Sequence, residues 1–189
     1  MKGKFERRHF IKTLPIAALT YPSLSCSRTT KAHYEKGLWE DFTESEKKHI
    51  ADSPMAKGII KWHKKRYSCA EAIYFSALEY LEKPLEYGAA ALGYGGGMAK
   101  EDLCGFLTGG YMAIGVSSQT LHPNHDDAYK YNEKLCLQFW DWFEKRAPVH
   151  CVDLLKYYND EQFNTMAIRV AIQVEQLITP ARRSSQHTG

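Results

Sequence analysis

The run Ser68-Cys69-Ala70-Glu71-Ala72-Ile73-Tyr74-Phe75-Ser76-Ala77-Leu78-Glu79-Tyr80-Leu81-Glu82 decides the class of fold. Ser68 and Glu71 have the spacing of a capping box, in which each side chain satisfies an amide N–H at the start of a helix. Beyond them Ile73, Ala77 and Leu81 recur every four residues, and Tyr74 and Leu78 join the same stripe. That period belongs to a helix with one buried face, not to a strand. Cys69 falls in its first turn.

Working outward, the same signals repeat. Upstream, Asp52-Ser53-Pro54 starts a helix to about Lys65, with proline in the first helical position. It carries Ile59, Ile60 and His63, with Trp62 flanking. His63 sits among Lys64, Lys65 and Arg66 and reads as solvated surface. Downstream, Pro84 opens a third helix toward Leu92, which Gly95-Gly96-Gly97 ends. Glu101-Asp102 reads as the start of a fourth helix, from about Leu103 to Val116, with Cys104 in its first turn. Gly105 and Gly109 lie one turn apart on it and would let another backbone approach.

His122-Pro123-Asn124-His125-Asp126-Asp127 is a loop ending in helix caps, in preference to a metal site. An amphipathic helix follows to Lys145, with Tyr131, Leu135, Cys136, Phe139, Trp142 and Phe143. A short helix begins at Cys151, and a last one runs from Asp160 or Asn164 to Ile178. No strand alternation occurs. The fold class is all-α, a compact single-domain bundle of five to six helices over residues 47–179, with 180–189 as a disordered tail.

The N-terminus reads differently. Residues 1–25 hold five Lys/Arg and one acid, leaving 20 basic and 21 acidic residues beyond them. The overall charge of +3 is therefore no footprint for nucleic acid. Glu6-Arg7-Arg8-His9-Phe10-Ile11-Lys12 is similar to a twin-arginine export signal, departing at Glu6 and mildly at Ile11. The apolar run from Leu14 to Leu24 is short and broken by Pro15 and Pro22, so it does not span a bilayer as a stable helix. Ser23-Leu24-Ser25-Cys26 resembles, loosely, the processing site at which a lipoprotein cysteine is acylated. The expectation is an exported protein, periplasmic or membrane-anchored through a lipidated Cys26, with residues 26–46 as a tether from which Leu38-Trp39 and Phe42 dock on the domain.

Five cysteines carry the chemistry: Cys26, Cys69, Cys104, Cys136 and Cys151. A thiol at a helix start faces free N–H groups and the positive end of the helix dipole, which favours its thiolate. Cys104 and Cys69 have that placement, and Cys151 lies near a third helix start, after His150. Cys136 lies mid-helix beside Leu135 and Leu137 and is assigned mainly to packing. The glycine run lacks the Gly-Lys-Ser/Thr of a phosphate loop, which excludes that nucleotide motif.

Cys69-Ala70, the glycine run with Met98, Cys104-Gly105-x-x-Thr108-Gly109 and Cys151 together resemble the redox-active family named for its cysteine pattern, C…GCAxxG…C…C. The resemblance covers roughly residues 55–178. It implies a small helical domain with a cysteine-lined site in which Gly95, Gly96, Gly97, Gly105 and Gly109 shape the backbone around a bound group. Two departures stand out. Phe106 occupies a position where a small residue is usual, and no cysteine follows Cys151, Met166 lying about where the last would fall. A haem-carrying branch is distantly similar, but no Cys-x-x-Cys-His, and so no c-type haem attachment motif, exists here.

Three functions stay open on these residues. The first is thiol–disulfide or electron-transfer chemistry with Cys104 as thiolate, Cys69 as partner and Cys151 as resolving thiol, serving a redox partner. The second is an iron–sulfur or Zn site held by Cys69, Cys104, Cys151 and Cys136 or His150. The third is a tethered helical module, or homodimer, in which the cysteines form a structural disulfide.

Overall fold

A computed structural model describes residue 34 and residues 37–186. The export segment, Cys26 and the first part of the tether lie outside the described residues. Everything below belongs to the unit spanning residues 33–189.

Among the described residues seven α-helices follow one another: α1 (Glu44–Asp52), α2 (Pro54–Lys64), α3 (Cys69–Tyr80), α4 (Gly105–Leu121), α5 (His125–Glu144), α6 (Cys151–Leu154) and α7 (Asp160–Gln186). A 3-10 segment, Leu85–Tyr94, and a short turn, Gly97–Glu101, join α3 to α4. No strand or sheet occurs among the described residues, so the all-α reading holds. None of their helices is long and apolar enough to cross a membrane.

The caps sit where the sequence put them. Ser68 accepts from the Glu71 amide while the Glu71 carboxylate accepts from the Ser68 amide at 3.0 Å. Ser53 caps α2, and Asn124 caps α5 by accepting from the amides of Asp126 and Asp127. Glu175 on α7 extends the α2 cap, accepting from the Ser53 hydroxyl at 2.6 Å and the Met55 amide at 2.9 Å.

Helix α4 is the centre of the bundle, packed on α3, α5 and α7, while α2 covers α3 and α7. Its glycines explain the closeness. A Cβ on Gly109 would lie 2.4 Å from the Ala70 carbonyl oxygen, and one on Gly110 would lie 2.3 Å from the Phe139 ring. Phe106, Leu107 and Ile114 of α4 meet Ile73 and Leu78 of α3 and Met166, Val170 and Val174 of α7 in one core, all buried.

Within the segment read as tether, Leu38 is buried on the domain, the docking its sequence predicts, and Arg169 of α7 pins the chain there, donating to the carbonyls of Leu38, Glu40 and Asp41 and to Glu46. The segment from Pro180, expected to be disordered, continues α7 to Gln186. An internal proline costs ~3 kcal/mol, and burial of Ile178 and Ala181 on either side opposes that cost.

Candidate functional site

The cysteines meet where the chain stops being helical. Leu103 and His150 form an isolated antiparallel bridge, with the Cys104 amide donating to Val149 at 2.8 Å and the Cys151 amide to Asp102 at 2.6 Å. Cys104 and Cys151 thus flank the bridge, each donating its amide across it. The His150 Nδ1 lies 2.8 Å from an Asp102 carboxylate oxygen, which closes the bridge with a side-chain contact.

The bridge overturns the reading of Glu101-Asp102 as a helix start. Asp102 and Cys104 are kept out of helical geometry by the pairing, and α4 starts one residue later, with Cys104 as its N-cap (φ −55°, ψ 131°).

Before the bridge the backbone turns left-handed. Gly96, Gly97, Met98 and Ala99 have φ of 59°, 62°, 56° and 57°, and Glu101 has 56°. The Asp102 amide closes this turn on the Gly97 carbonyl at 3.0 Å. For a residue with a Cβ, such φ costs roughly 1–2 kcal/mol, so Met98, Ala99 and Glu101 hold stored strain beside the thiols.

Cys69 completes the corner from α3. A Cβ on Gly105 would come within 3.1 Å of the Cys69 Cβ, and one on Gly97 within 2.9 Å of the Cys151 Cβ. The glycines expected to shape a cofactor pocket are thus largely filled by the protein itself: Gly95 by Ser68, Gly97 by Asp102 and Cys151, Gly105 by Cys69 and Ala70, Gly109 by Ala70. Of these five glycines, Gly96 alone faces open space. Cys69, Cys104 and Cys151 act on one another electrostatically, and all three are free thiols.

Their acidity runs against the helix-start expectation. Burial is the largest influence on each. It pushes the Cys69 thiol far up, Cys104 up to about 12, and raises Cys151 as well, with Glu101 adding to the last. The Phe106 and Leu107 amides pull Cys104 down, without a capping hydrogen bond of ordinary geometry, and do not offset burial at 2% exposure. Cys69 keeps partial exposure as a residue, yet the surroundings of its sulfur are dry enough for burial to dominate. Desolvation disfavours the charged form more than a helix terminus favours it.

Of two further side chains near the corner, Tyr158 gives no signal in the sequence and His63 reads as surface there. Tyr158, half-buried just after α6, acts on all three sulfurs, and its own hydroxyl is raised mainly by burial and then by Cys69, Cys151 and Cys104. Its ring stands 5.7 Å from Phe163, itself 5.4 Å from Phe106. His63 is not solvated surface. Its ring lies between Phe163 at 4.9 Å and Phe106 at 6.0 Å, both ring nitrogens are buried without a partner, and burial lowers its pKa to about 4. Nothing in the local sequence signals this, because Phe106 and Phe163 come from other helices.

Cys136 does not join the corner. It lies on α5, its thiol 3.7 Å from the Asn132 side-chain oxygen, and burial raises its pKa to about 11. No group of three or more His, Cys, Asp or Glu side chains among the described residues is placed to hold a metal ion. Met166, where the pattern's last cysteine would fall, is buried in the core. The donors proposed for a four-ligand Zn or iron–sulfur site are therefore not assembled among the described residues.

Fold and corner together define a small all-α protein with three clustered thiols. Residues 67–175, more than half of the chain, match the family described as "Putative redox-active protein (C_GCAxxG_C_C)". The chain belongs to that redox-active family. No curated protein and no solved structure matches it.

Proposed function

We propose that this protein exchanges dithiol for disulfide at Cys104 and Cys151, with Cys69 as the third thiol of the site. The observation that carries the reading is the bridge through Leu103 and His150, which brings the chain segments of Cys104 and Cys151 side by side, close enough for the two thiols to act on each other electrostatically. Burial divides the roles. Cys104 is closed off and Cys151 is half-exposed with a less strongly raised thiol, so Cys151 meets the partner and Cys104 resolves.

The Cys151 thiol gives its proton to solvent, and the thiolate attacks one sulfur of a partner disulfide. A mixed disulfide forms and the partner's first thiolate leaves, taking up a proton. Cys104 then loses its proton and attacks the Cys151 sulfur, forming the Cys104–Cys151 bond and releasing the partner's second thiol. Two electrons and two protons pass to the partner, and the reverse sequence returns them. Diagonal neighbours on such a ladder sit ~7–8 Å apart at Cα, whereas a disulfide spans at most ~7 Å. Closing the bond draws α6 toward Cys104, a movement that a four-residue helix can take.

We propose as well that the protein works outside the cytoplasm. This is supported by Arg7-Arg8-His9-Phe10 and by Cys26 after a short apolar run. Fractionation of expressing cells, with Arg7 and Arg8 changed to Lys, tests it: the wild type leaves the cytoplasm and the variant stays.

Equilibration in glutathione redox buffers tests the exchange. The wild type loses two titratable thiols in one two-electron step, and Cys151→Ser or Cys104→Ser removes that step. Because burial raises the Cys151 thiol, the exchange rate climbs with pH from 7 to 9 without a plateau. Retention of the two-electron step in Cys104→Ser would contradict the assignment.

A further inference from the structure

Helix α2 and the turn after it carry charge of one sign. From Pro54 to Arg66 the chain holds Lys57, Lys61, Lys64, Lys65 and Arg66 and no acid. At helical spacing the four lysines fall within about 100° of one another around the axis and along ~12 Å of it. All four are exposed, while Met55, Ala56, Ile59 and Trp62 bury the opposite face. A merely solvated face mixes its signs, as α5 does with Asp127, Lys130, Glu133, Lys134 and Asp141.

Neighbouring elements widen the stripe. Lys57 and Lys61 line one groove with Arg182 of α7. Lys61 and Lys65 both stand over the Trp62 ring, 4.6 and 4.7 Å from its centre. Three carboxylates border it. Glu79 is engaged by Lys61 and the Trp62 indole N–H, Glu71 by Ser68 in the capping box, and Glu86 lines a second groove with Lys65 and Arg66. Six cations against these three leave the surface positive.

Two features say what such a surface meets. Its one large aromatic, Trp62, is 6% exposed beneath the two lysines, so the stripe lacks the apolar centre of a protein interface. Lysines are point charges on flexible stems, suited to a plane of many anionic groups and not to one clamped ligand. The chain also leads toward such a plane. Twelve residues separate Cys26 from buried Leu38, a reach of at most ~43 Å when extended. An acyl anchor on Cys26 would hold a bilayer within that reach, where weak attraction acts at high effective concentration.

We infer that the lysine stripe of α2 docks the domain on anionic phospholipid headgroups. The setting rests on the proposal that the protein works outside the cytoplasm, anchored through Cys26. The docking itself does not need the anchor and is tested without it.

Full-length protein carrying Cys26→Ser is sedimented with vesicles of phosphatidylcholine alone or with about one-third phosphatidylglycerol. It binds the anionic vesicles at least about tenfold more tightly than the neutral ones, and added salt weakens that binding. Lys57→Gln/Lys64→Gln/Lys65→Gln lowers it by about tenfold or more. Lys130→Gln/Lys134→Gln/Lys145→Gln makes the same charge change at exposed positions in and just after α5 and leaves binding intact. Circular dichroism verifies that each variant is folded. Unchanged binding in the α2 variant overturns the inference, because the basic residues of the first 25 then carry it. An equal loss in the α5 variant overturns it too, as an effect of net charge alone. So does tighter binding to a DNA duplex or to polyglutamate than to the anionic vesicles. A wild type that stays in the cytoplasm overturns the export reading instead, and leaves the vesicle result standing.

Discussion

Compare the contact of α3 with α4 and the corner a few residues before it. At the contact, Gly109 lets α4 settle directly on the Ala70 carbonyl, Ser68 and Glu71 satisfy each other's amides, and each local preference agrees with the packing. At the corner, Met98, Ala99 and Glu101 adopt backbone angles that glycine would take more readily, and a one-residue bridge replaces a helix turn. The first region shows how this sequence obtains stability. The second shows where it gives some up, and the thiols stand there. Local consistency marks the scaffold, and local inconsistency marks the site.

The largest expected break in that comparison is Gly109→Ala. Its Cβ would meet backbone atoms of Ala70, which cannot rotate away, so the helices must separate. A loss of about 3 kcal/mol or more is expected, read as the denaturant midpoint.

Next comes His63, half-buried between Phe106 and Phe163 with both ring nitrogens unpartnered. Its folded pKa of about 4 lies below the ordinary 6.5. The unfolded chain therefore binds the proton first, and stability falls as pH drops from about 6.5 to about 4. Discounted for partial exposure, the contribution is roughly 2 kcal/mol. His63→Leu should remove this component, seen as the wild-type-minus-variant difference between pH 7.5 and 4.5. An unchanged difference would show that the imidazole is solvated.

Ser68→Ala is the cleaner probe of the scaffold. It removes one half of the capping box at the start of the helix that carries Cys69, at a cost of about 1 kcal/mol in thermal stability. The smallest effect has the opposite sign. Ala99→Gly relieves a left-handed φ at an exposed position and should stabilise by about 0.5 kcal/mol, because the relief slightly exceeds the added entropy of the unfolded chain. Destabilisation by Ala99→Gly would show that the turn is not strained.

These regions were unequally legible in the sequence. The helices could be read because their determinants are local: Ser53-Pro54, Ser68 to Glu71, Asn124 before Asp126, and stripes of period 3.6. The cysteines of the corner could be named for the same reason, as their setting of glycines and helix starts is local. Their geometry could not. Leu103 and His150 are far apart in the chain, and no pattern in either stretch announces the pairing. The direction of the thiol acidities was missed because it depends on burial, which only the assembled fold supplies. His63 looked like surface among cations, and only Phe106 and Phe163 reveal its cage. Met98 and Ala99 carry no mark of left-handed backbone, since neither residue type favours it.

The most direct measurement is disulfide mapping by mass spectrometry of peptides from the full-length protein, poised in a mildly oxidising glutathione buffer and blocked at acid pH. The account predicts a reversible Cys104–Cys151 bond, with Cys136 recovered as free thiol. A bond that includes Cys136, or Cys104 and Cys151 both recovered unpaired, would contradict it.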